Sequence, residues 1–433
     1  MTITAGPDMK KYLLKALIII TALALFCTGG YYLLTATDFA KDITDKLFGS
    51  DEPYSYGVTN GADVEVTLTN FDEQNVSEEL QARIKSYFER YSATLTGSGE
   101  ESLYPFFAYQ CEDYLTDRLT MNYEAERFYL NRLEPQRITS EIVCKRAVSP
   151  SDSLVELEMT QSFCCYFGET AAKTSGISHR FSYKKNGTEW EIFAHEWESD
   201  IHSYALSALE KEIEKDGYIR SDLTYSYIEK YADRANELLI DEIKGFKDGG
   251  EPKEIPQTEY VYLRDAAVNY ARTWSDSAAG GRNTAYFGSY DINTANFTSQ
   301  CLIAGGIPMD VQGAPEVQWK WYSDFEIDAQ SHSGYSKSFI NGSGFYSYCL
   351  ENKGFGLVSL CDVPISMAEK GDIIQLLDEN GEYLSQCIIT STENGIFIAM
   401  NDTDRTDFPL MALPFSGLRV IKVVGYNTVN LGE

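Results

Sequence analysis

The residues of this chain that could carry out hydrolysis lie in its last third, in and after the stretch Asn293–Gly306. This stretch contains Thr294 and, seven residues later, Cys301, which lies about two turns further along a helix and on the same side of it. The one histidine after Asp265 is His332, in a polar run typical of a loop. A cysteine thiol becomes a nucleophile when a neighbouring imidazole takes its proton. A dyad of Cys301 and His332 is therefore one chemistry that these residue types allow.

Thr294 is a poor nucleophile by itself, because a threonine hydroxyl stays protonated unless a base is beside it. Threonine hydrolases use their own N-terminal amine as that base, and Thr294 is internal. The position predicts a structural role instead. We expect Thr294 to cap a helix that begins near Asn296, its oxygen accepting a free backbone N–H. A ligand contact or an unusual catalytic role for Thr294 stays open.

Separate blocks of the last third occur in the order found in the putative amidase domain, a bacterial family related to papain-like cell-wall hydrolases. The family helix reads Asp-Cys-Thr-Asn-Phe-Val-Ser-Gln-Cys-Leu, and the chain has Asn-Thr-Ala-Asn-Phe-Thr-Ser-Gln-Cys-Leu from Asn293. A later family block, His-Ser-Val-Ile-Val-Thr, is similar to Ser385–Thr390. The blocks that carry the resemblance are Asp265–Trp274, Asn293–Leu302, Gly371–Gln375, Ser385–Thr390 and Asn401–Arg405.

The resemblance implies a papain-like α+β amidase fold for residues 256–433 and places the family's functional positions on this chain. The nucleophilic cysteine falls on Thr294, the general base histidine on Ser385 and a third polar partner on Asn401. Cys301 matches a second cysteine of the family that is commonly not catalytic. The three catalytic positions are thus the ones where the chain departs from the family.

Three kinds of function follow as expectations. The first is a catalytically degenerate amidase that binds peptidoglycan or a peptide, or that serves as a scaffold for a protein partner. The second is an active cell-wall amidase or peptidase with a rearranged cysteine site. The third is a purely structural, membrane-tethered assembly component whose cleft is filled by its own loop. Expected ligand contacts are the family-helix residues and the aromatic residues after them, which in the family help line the substrate cleft: Asn296, Gln300, Trp319, Trp321 and Tyr322.

The N-terminal segment predicts a membrane anchor over residues 1–37. Lysines precede the uncharged run Ala16–Leu34, and acidic residues follow it. The run is close to the ~20 apolar residues that a membrane span needs, and the charge pattern favours a cytoplasmic N-terminus. We expect a single-pass protein of the cell membrane whose bulk is extracellular. A cleaved signal peptide is the alternative.

The net charge of −29 disfavours binding to nucleic acid or to polyanions. The sequence has no glycine-rich phosphate loop and no Cys-x-x-Cys pair, so it predicts neither a cofactor nor a metal site. We interpret His179, His195 and His202 as surface or packing residues rather than metal ligands. The pairing of the cysteines stays open.

Between the anchor and the amidase-like part, the pattern of apolar residues changes twice. Residues 55–200 show a helix followed by alternating strands, with an Asn186-Gly187 hairpin signal. This order predicts a small α+β domain similar to the cone-shaped NTF2-like modules. In residues 201–255, apolar residues recur at intervals of three and four positions. This spacing predicts a helical linker.

Overall fold

The computed structural model describes most of the chain beyond residue 62. The described ranges are 63–96, 102–247, 250–276, 281–288, 293–313, 317–323, 333–352 and 354–428. The anchor predicted over residues 1–37 and His332 lie outside these ranges. Within them, no helix is both long enough and apolar enough to span a bilayer.

The N-terminal half folds as helices packed on a strongly alternating sheet. Its strands are β1 (Asp63–Thr69), β2 (Arg137–Ser151), β3 (Leu154–Phe167), β4 (Thr170–Asn186) and β5 (Glu189–Glu198). Its helices are α1 (Glu78–Thr94) and α2 (Asp113–Leu130). Strands β2 to β5 form an antiparallel meander, and β1 pairs in parallel with β2. This is the α+β order that the sequence predicts for residues 55–200.

Local sequence explains where these elements begin and turn. The Ser77 hydroxyl accepts a hydrogen bond from the Leu80 amide, and so caps α1. Gly187 has φ +62°, a conformation that suits glycine, and it turns β4 into β5 after Asn186 as predicted. Asn186-Gly187 is thus a confirmed hairpin turn.

Two further helices follow: α3 (Asp200–Lys215) and α4 (Tyr225–Gly245). The Ser199 hydroxyl caps α3 by accepting a hydrogen bond from the His202 amide at 3.0 Å. The predicted periodicity is present, since apolar positions such as Leu209 and Leu239 are buried on one face of each helix.

The C-terminal half has helices on one face of a second set of strands. The helices are α5 (Arg264–Trp274), α6 (Thr294–Ala304), α7 (Lys337–Ile340) and α8 (Gly342–Glu351). The strands are β6 (Tyr260–Val261), β7 (Gly356–Val363), β8 (Ile373–Leu377), β9 (Tyr383–Ser391), β10 (Phe397–Asn401), β11 (Asp404–Pro409) and β12 (Gly417–Asn427).

The two halves share one sheet. In the described part of the chain the strand order is β1-β2-β3-β4-β11-β10-β9-β8-β12-β6, with β5 on β4 and β7 on β12. The junction is the antiparallel pair of β4 and β11, in which Arg405 lies opposite Thr174. The molecule is therefore an α+β protein with a mixed sheet, and its hydrogen-bonded ladder crosses from one half to the other.

The helical segment 201–255, expected to be a linker, is instead a packing layer. Residues of α3 and α4 lie in the same hydrophobic core as Leu376, Cys387 and Ile389 of the C-terminal sheet. The opposite sheet face, with Ile373 and Ile388, packs on α6 in a second core. The C-terminal strands are apolar on both faces because both are covered. A spacer between independent units would not leave these residues buried.

Candidate functional site

The N-terminus of α6 is where the family resemblance places catalysis, and here the prediction for Thr294 needs a correction. The helix begins at Thr294 rather than near Asn296, and Asn293 is the residue that precedes it. Thr294 therefore is not the cap. Its hydroxyl is hydrogen-bonded to the Tyr383 hydroxyl at 2.7 Å. The side chain has no exposed surface.

Tyr383 covers the beginning of α6 and is a site residue that sequence reasoning missed. Its ring packs directly on Gly342, the first residue of α8, where an added Cβ would lie 2.0 Å from a ring carbon of Tyr383. Burial raises the pKa of the Tyr383 phenol well above its ordinary value. The phenol is therefore neutral near pH 7 and is not a base for Thr294.

A bulge in β9 explains why the alternation of the sequence conceals this contact. Ser385 pairs with Leu376 and Tyr383 with Leu377, so Leu384 is an extra residue on β9. An extra residue reverses the face of the positions before it. Gln386 faces α6, where its amide donates to the Thr298 hydroxyl. The bulge brings Tyr383 to that same face.

Ser385 lies on the other side of the strand. The positions that follow it at intervals of two, Cys387 and Ile389, belong to the core shared with the N-terminal half. Ser385 itself lines a cavity between the two halves together with Asp402. The structure thus separates Thr294 from Ser385, although the resemblance aligns them with a nucleophile and its base.

Asn401 is connected to the beginning of α6, but through Asn293. The Asn293 amide donates to the Asn401 carbonyl oxygen at 3.2 Å, and the Asn401 amide donates to the Trp274 carbonyl oxygen and to Asp404. Asn296 adds a hydrogen bond to Asn293 at 2.9 Å. These buried amides hold the loop before α6 to β10. Asp404 is the one titratable group of this set, and burial raises the pKa of its carboxyl to about 6.

Cys301 is fully buried and belongs to the same hydrophobic core of the C-terminal half as Phe297 and Leu302. Burial raises its thiol pKa well above the ordinary value, which opposes formation of a thiolate. Its place two turns beyond Thr294 on the same helix is as predicted. The dyad with His332 stays a prediction, because His332 lies outside the described residues.

The expected ligand contacts are mostly interior residues. Trp319 has no exposed surface and donates from its indole N–H to the Ser299 hydroxyl at 3.1 Å, and Trp321 stacks on Tyr335. Gln300 accepts a hydrogen bond from the Tyr270 hydroxyl at 2.7 Å. Asn296 is also buried. Of the five, only Tyr322 is exposed, so the cluster is chiefly core packing.

The histidines of the N-terminal half form a buried chain rather than a scattered set. His179 and His195 are 3.0 Å apart through Nδ1 and Nε2, and His195 Nδ1 lies 2.6 Å from an Asp117 carboxylate oxygen. Gln161 meets His179 Nε2 at 3.1 Å. His202 is also buried, and its Nδ1 lies 3.2 Å from the Thr120 hydroxyl oxygen. These are packing residues, not surface residues.

The Asp117 carboxyl is the centre of this chain. It also accepts hydrogen bonds from the Tyr87 hydroxyl at 2.9 Å and the Trp197 indole N–H at 3.1 Å. Burial raises the pKa of Asp117 to about 7 and lowers that of His195 to about 3. Phe181 stacks on His195 with ring centroids 3.6 Å apart. Close packing leaves these groups hydrogen-bonded to one another rather than to solvent.

Within the described ranges, no group of three or more His, Cys, Asp or Glu side chains has the spacing to hold a metal ion. The eight described cysteines are unpaired.

Comparisons with known proteins agree with the sequence blocks. No curated protein matches the chain. A solved phospholipid-binding protein from Ralstonia solanacearum, in complex with a phospholipid, aligns over 37% of this chain and 97% of that chain, with 12% identity and a TM-score of 0.22. That similarity is too low to carry an argument. The model of the family described as "Putative amidase domain" matches residues 261–422. Together with the order of the blocks and their helix-and-sheet arrangement, this match identifies residues 261–422 as a member of the putative amidase domain family.

Proposed function

We propose that this chain is a membrane-anchored cell-envelope protein whose amidase domain does not hydrolyse amides and serves as a scaffold or binding unit. The observation that carries this is the hydrogen bond between the buried Thr294 hydroxyl and Tyr383. A substrate carbonyl must come within about 3–3.5 Å of a nucleophile. The Tyr383 hydroxyl, 2.7 Å from the Thr294 oxygen, occupies one such approach.

The missing proton acceptor supports the same proposal. A positioned general base contributes roughly 10²-fold to 10⁴-fold to the rate. The partner of Thr294 is a neutral phenol, and the partner of Asn401 at the beginning of α6 is the amide of Asn293. Because Tyr383 occupies the place beside Thr294, scaffolding for a protein partner is favoured over capture of a peptide there. Peptidoglycan remains the proposed surface on which the protein acts.

Hydrolysis of purified peptidoglycan tests the catalytic part of the proposal. The wild-type chain should release no new amines. Two double variants separate the possible base positions: Thr294→Cys with Ser385→His follows the sequence alignment, whereas Thr294→Cys with Tyr383→His follows the geometry. Any activity gained should appear in the second pair, since Tyr383 and not Ser385 contacts Thr294.

Release of amines by the wild-type chain, abolished by Cys301→Ala, would overturn the proposal and place catalysis at Cys301. Sedimentation of the silent protein with cell walls would support a binding role. Protease treatment of intact cells tests the topology. The proposed anchor requires that the bulk of the chain be cleaved from outside and that the N-terminal segment remain with the membrane.

A further inference from the structure

Cys349 and Cys361 are two buried thiols that lie against each other in the C-terminal half. Each is only 4% exposed, and both belong to the second hydrophobic core. Cys349 lies near the end of α8, and Cys361 lies on β7, the next strand along the chain. The Cys349 side chain is hydrogen-bonded to that of Cys361. The two sulfurs are therefore neighbours, although they belong to different elements.

A backbone contact supports the same approach independently of the thiols. Ser359 and Cys361 are two positions apart in the regular part of β7, so their side chains project from one face of the strand. The Ser359 hydroxyl donates to the Cys349 carbonyl oxygen at 3.5 Å. The face of β7 that carries Cys361 is thus the face that packs on the end of α8.

The Asn352 side chain holds the connection between α8 and β7. Its amide nitrogen lies 2.9 Å from the carbonyl oxygens of Phe355 and Leu357, and 2.9 Å from the Tyr348 hydroxyl. These hydrogen bonds join the last turn of the helix to the first residues of the strand. The separation of the two elements is therefore set by the fold before any bond forms between the sulfurs.

This arrangement meets the first requirement of a disulfide, which is that the sulfurs can approach to about 2.05 Å on elements already held close together. We propose that Cys349 and Cys361 form a disulfide that fastens the end of α8 to β7. Gly342, at the other end of α8, packs on the Tyr383 ring. The bond would thus tether the helix that borders the position beside Thr294.

The reaction needs an oxidant, and the one proposed is a second disulfide, either of a low-molecular-weight compound or of a thiol oxidoreductase. One cysteine thiolate attacks the S–S bond of the oxidant, forms a mixed disulfide and releases the first thiol. The other cysteine then attacks the mixed disulfide and releases the second thiol. The two cysteines lose two electrons and two protons, and these convert the oxidant to its two thiols.

Access controls when this exchange takes place. Burial, and then the neighbouring Cys361 thiol, raise the pKa of the Cys349 thiol well above its ordinary value. Such a thiol is rarely a thiolate near pH 7, so exchange is slow while the core is closed. We expect the bond to form during folding, or when α8 opens from β7. Once formed, it is enclosed in the same core and protected from reductants.

The pairing is separate from the proposed loss of amidase activity. It depends on the proposed extracellular location only for its persistence in the cell, because disulfides persist in oxidising compartments. An experiment on the purified chain therefore tests the pair alone, and a failure of the proposed function would leave its result unchanged.

Thiol trapping of the purified full-length chain tests the proposal. The chain is incubated with oxidised glutathione at several urea concentrations below its unfolding transition, which separates slow access from unsuitable geometry. It is then alkylated in denaturant and digested with trypsin. Because Lys353 lies between the two cysteines, the disulfide should join two tryptic peptides.

Two variants sharpen the assignment. Cys349→Ser should abolish the linked peptides. Cys387→Ser is the matched control, because Cys387 is also buried but belongs to the core shared with the N-terminal half. The control should leave the linked peptides unchanged.

Stability gives a second measurement that needs no variant. The oxidised chain should have an equilibrium constant of unfolding ~100-fold lower than the same chain treated with dithiothreitol, because a bond across a short loop restricts the unfolded chain. Urea titration measures the difference. The proposal fails if Cys349 and Cys361 are alkylated or carry glutathione at every urea concentration, or if either is linked to another cysteine. An unfolding midpoint that dithiothreitol leaves unchanged would contradict the claim that the bond fastens α8 to β7.

Discussion

The N-terminal half buries three histidines and an aspartate, whereas the C-terminal half has no histidine among its described residues. In the first region the imidazoles and Asp117 have the residue types of an acid–base site, and every one of them is enclosed by hydrogen bonds and aromatic rings. In the second region the helix and strand that carry the family resemblance are present, and Thr294, which the resemblance aligns with the nucleophile, is hydrogen-bonded to Tyr383.

The difference teaches that residue type and access are separate requirements for a site. Asp117 and His195 could exchange a proton, but Phe181 and Trp197 close them from solvent. The beginning of α6 has the right place in the fold, but Tyr383 closes it. Neither region meets both requirements, and the cavity between the halves is where polar groups meet open space.

The proton arrangement of the buried chain follows from its partners. The Gln161 carbonyl oxygen faces His179 Nε2, so that nitrogen carries the hydrogen. His179 Nδ1 then accepts from His195 Nε2, and His195 Nδ1 accepts from a protonated Asp117. All members are neutral in this arrangement, which agrees with the raised pKa of Asp117 and the lowered pKa of His195.

Removal of Asp117 is the largest test of the comparison. Asp117→Ala leaves Tyr87, Trp197 and His195 without their shared partner in a buried place. We expect the free energy of unfolding, measured by urea titration, to fall by about 3–5 kcal/mol. Asp233→Ala on the surface should stay within about 0.5 kcal/mol. If Asp117→Ala lowers the free energy of unfolding by as little as the control does, the hydrogen-bonded set of Asp117 and the histidines is not a structural unit.

Arg127 tests whether the two halves are one folding unit. Its buried guanidinium donates to the Met411 and Phe415 carbonyl oxygens, across the boundary between the halves. Arg127→Met should lower the free energy of unfolding by about 2–4 kcal/mol, because both carbonyls lose a charged donor. Hydrogen exchange should accelerate in β4 and β11 together. Arg118→Met removes only a surface ion pair and should change little. Separate transitions for the two halves would contradict the shared core.

The pH dependence of stability separates Asp117 from the histidines. The folded state keeps a proton on Asp117 up to about pH 7, whereas the unfolded state loses it at the ordinary aspartate pKa, so this contribution is lost as the pH rises. The histidines act oppositely, since pKa values lowered to about 3 for His195 and about 4 for His202 favour folding as the pH rises toward the ordinary histidine pKa.

In Asp117→Asn only the histidine contribution remains from this pair of effects. Between about pH 4 and 6.5, the stability of the variant should rise with pH more steeply than that of the wild type, by up to about 1.4 kcal/mol per pH unit. Urea titrations at several pH values measure this slope. Glu124, Asp402 and Asp404 titrate in the same window in both proteins, so their contributions cancel. If stability depends on pH in the same way in Asp117→Asn and in the wild type, the proton is not on Asp117.

The smallest expected effect is at the filled amidase position. Thr294→Val and Tyr383→Phe should each lower the free energy of unfolding by about 1–2 kcal/mol, because each leaves a buried hydroxyl unpaired. The double variant should lose less than the sum. Thr273→Val, on the exposed side of α5, is the control. Additive losses would show that the two hydroxyls do not interact in solution.

Much of the secondary structure was predictable from local pattern. Asn186-Gly187 indicated a hairpin, the periodicity of residues 201–255 indicated two helices, and the family blocks indicated α5, α6 and β8. The role of Thr294 was predicted wrongly, since the choice between a cap and a first helical residue depends on backbone angles. Tyr383 was not predicted, because a single bulge residue, Leu384, reverses the face of the strand before it.

The sequence by itself determined the element types, the family of residues 261–422 and the absence of a cysteine at Thr294, because these depend on residue type and short spacing. Tertiary structure decided which residues meet. Only the fold paired β4 with β11, hydrogen-bonded Thr294 to Tyr383 and brought Ser385 and Asp402 into the lining of one cavity. Such contacts join positions far apart in the chain, and their distances depend on strand register and packing, which short-range patterns do not encode.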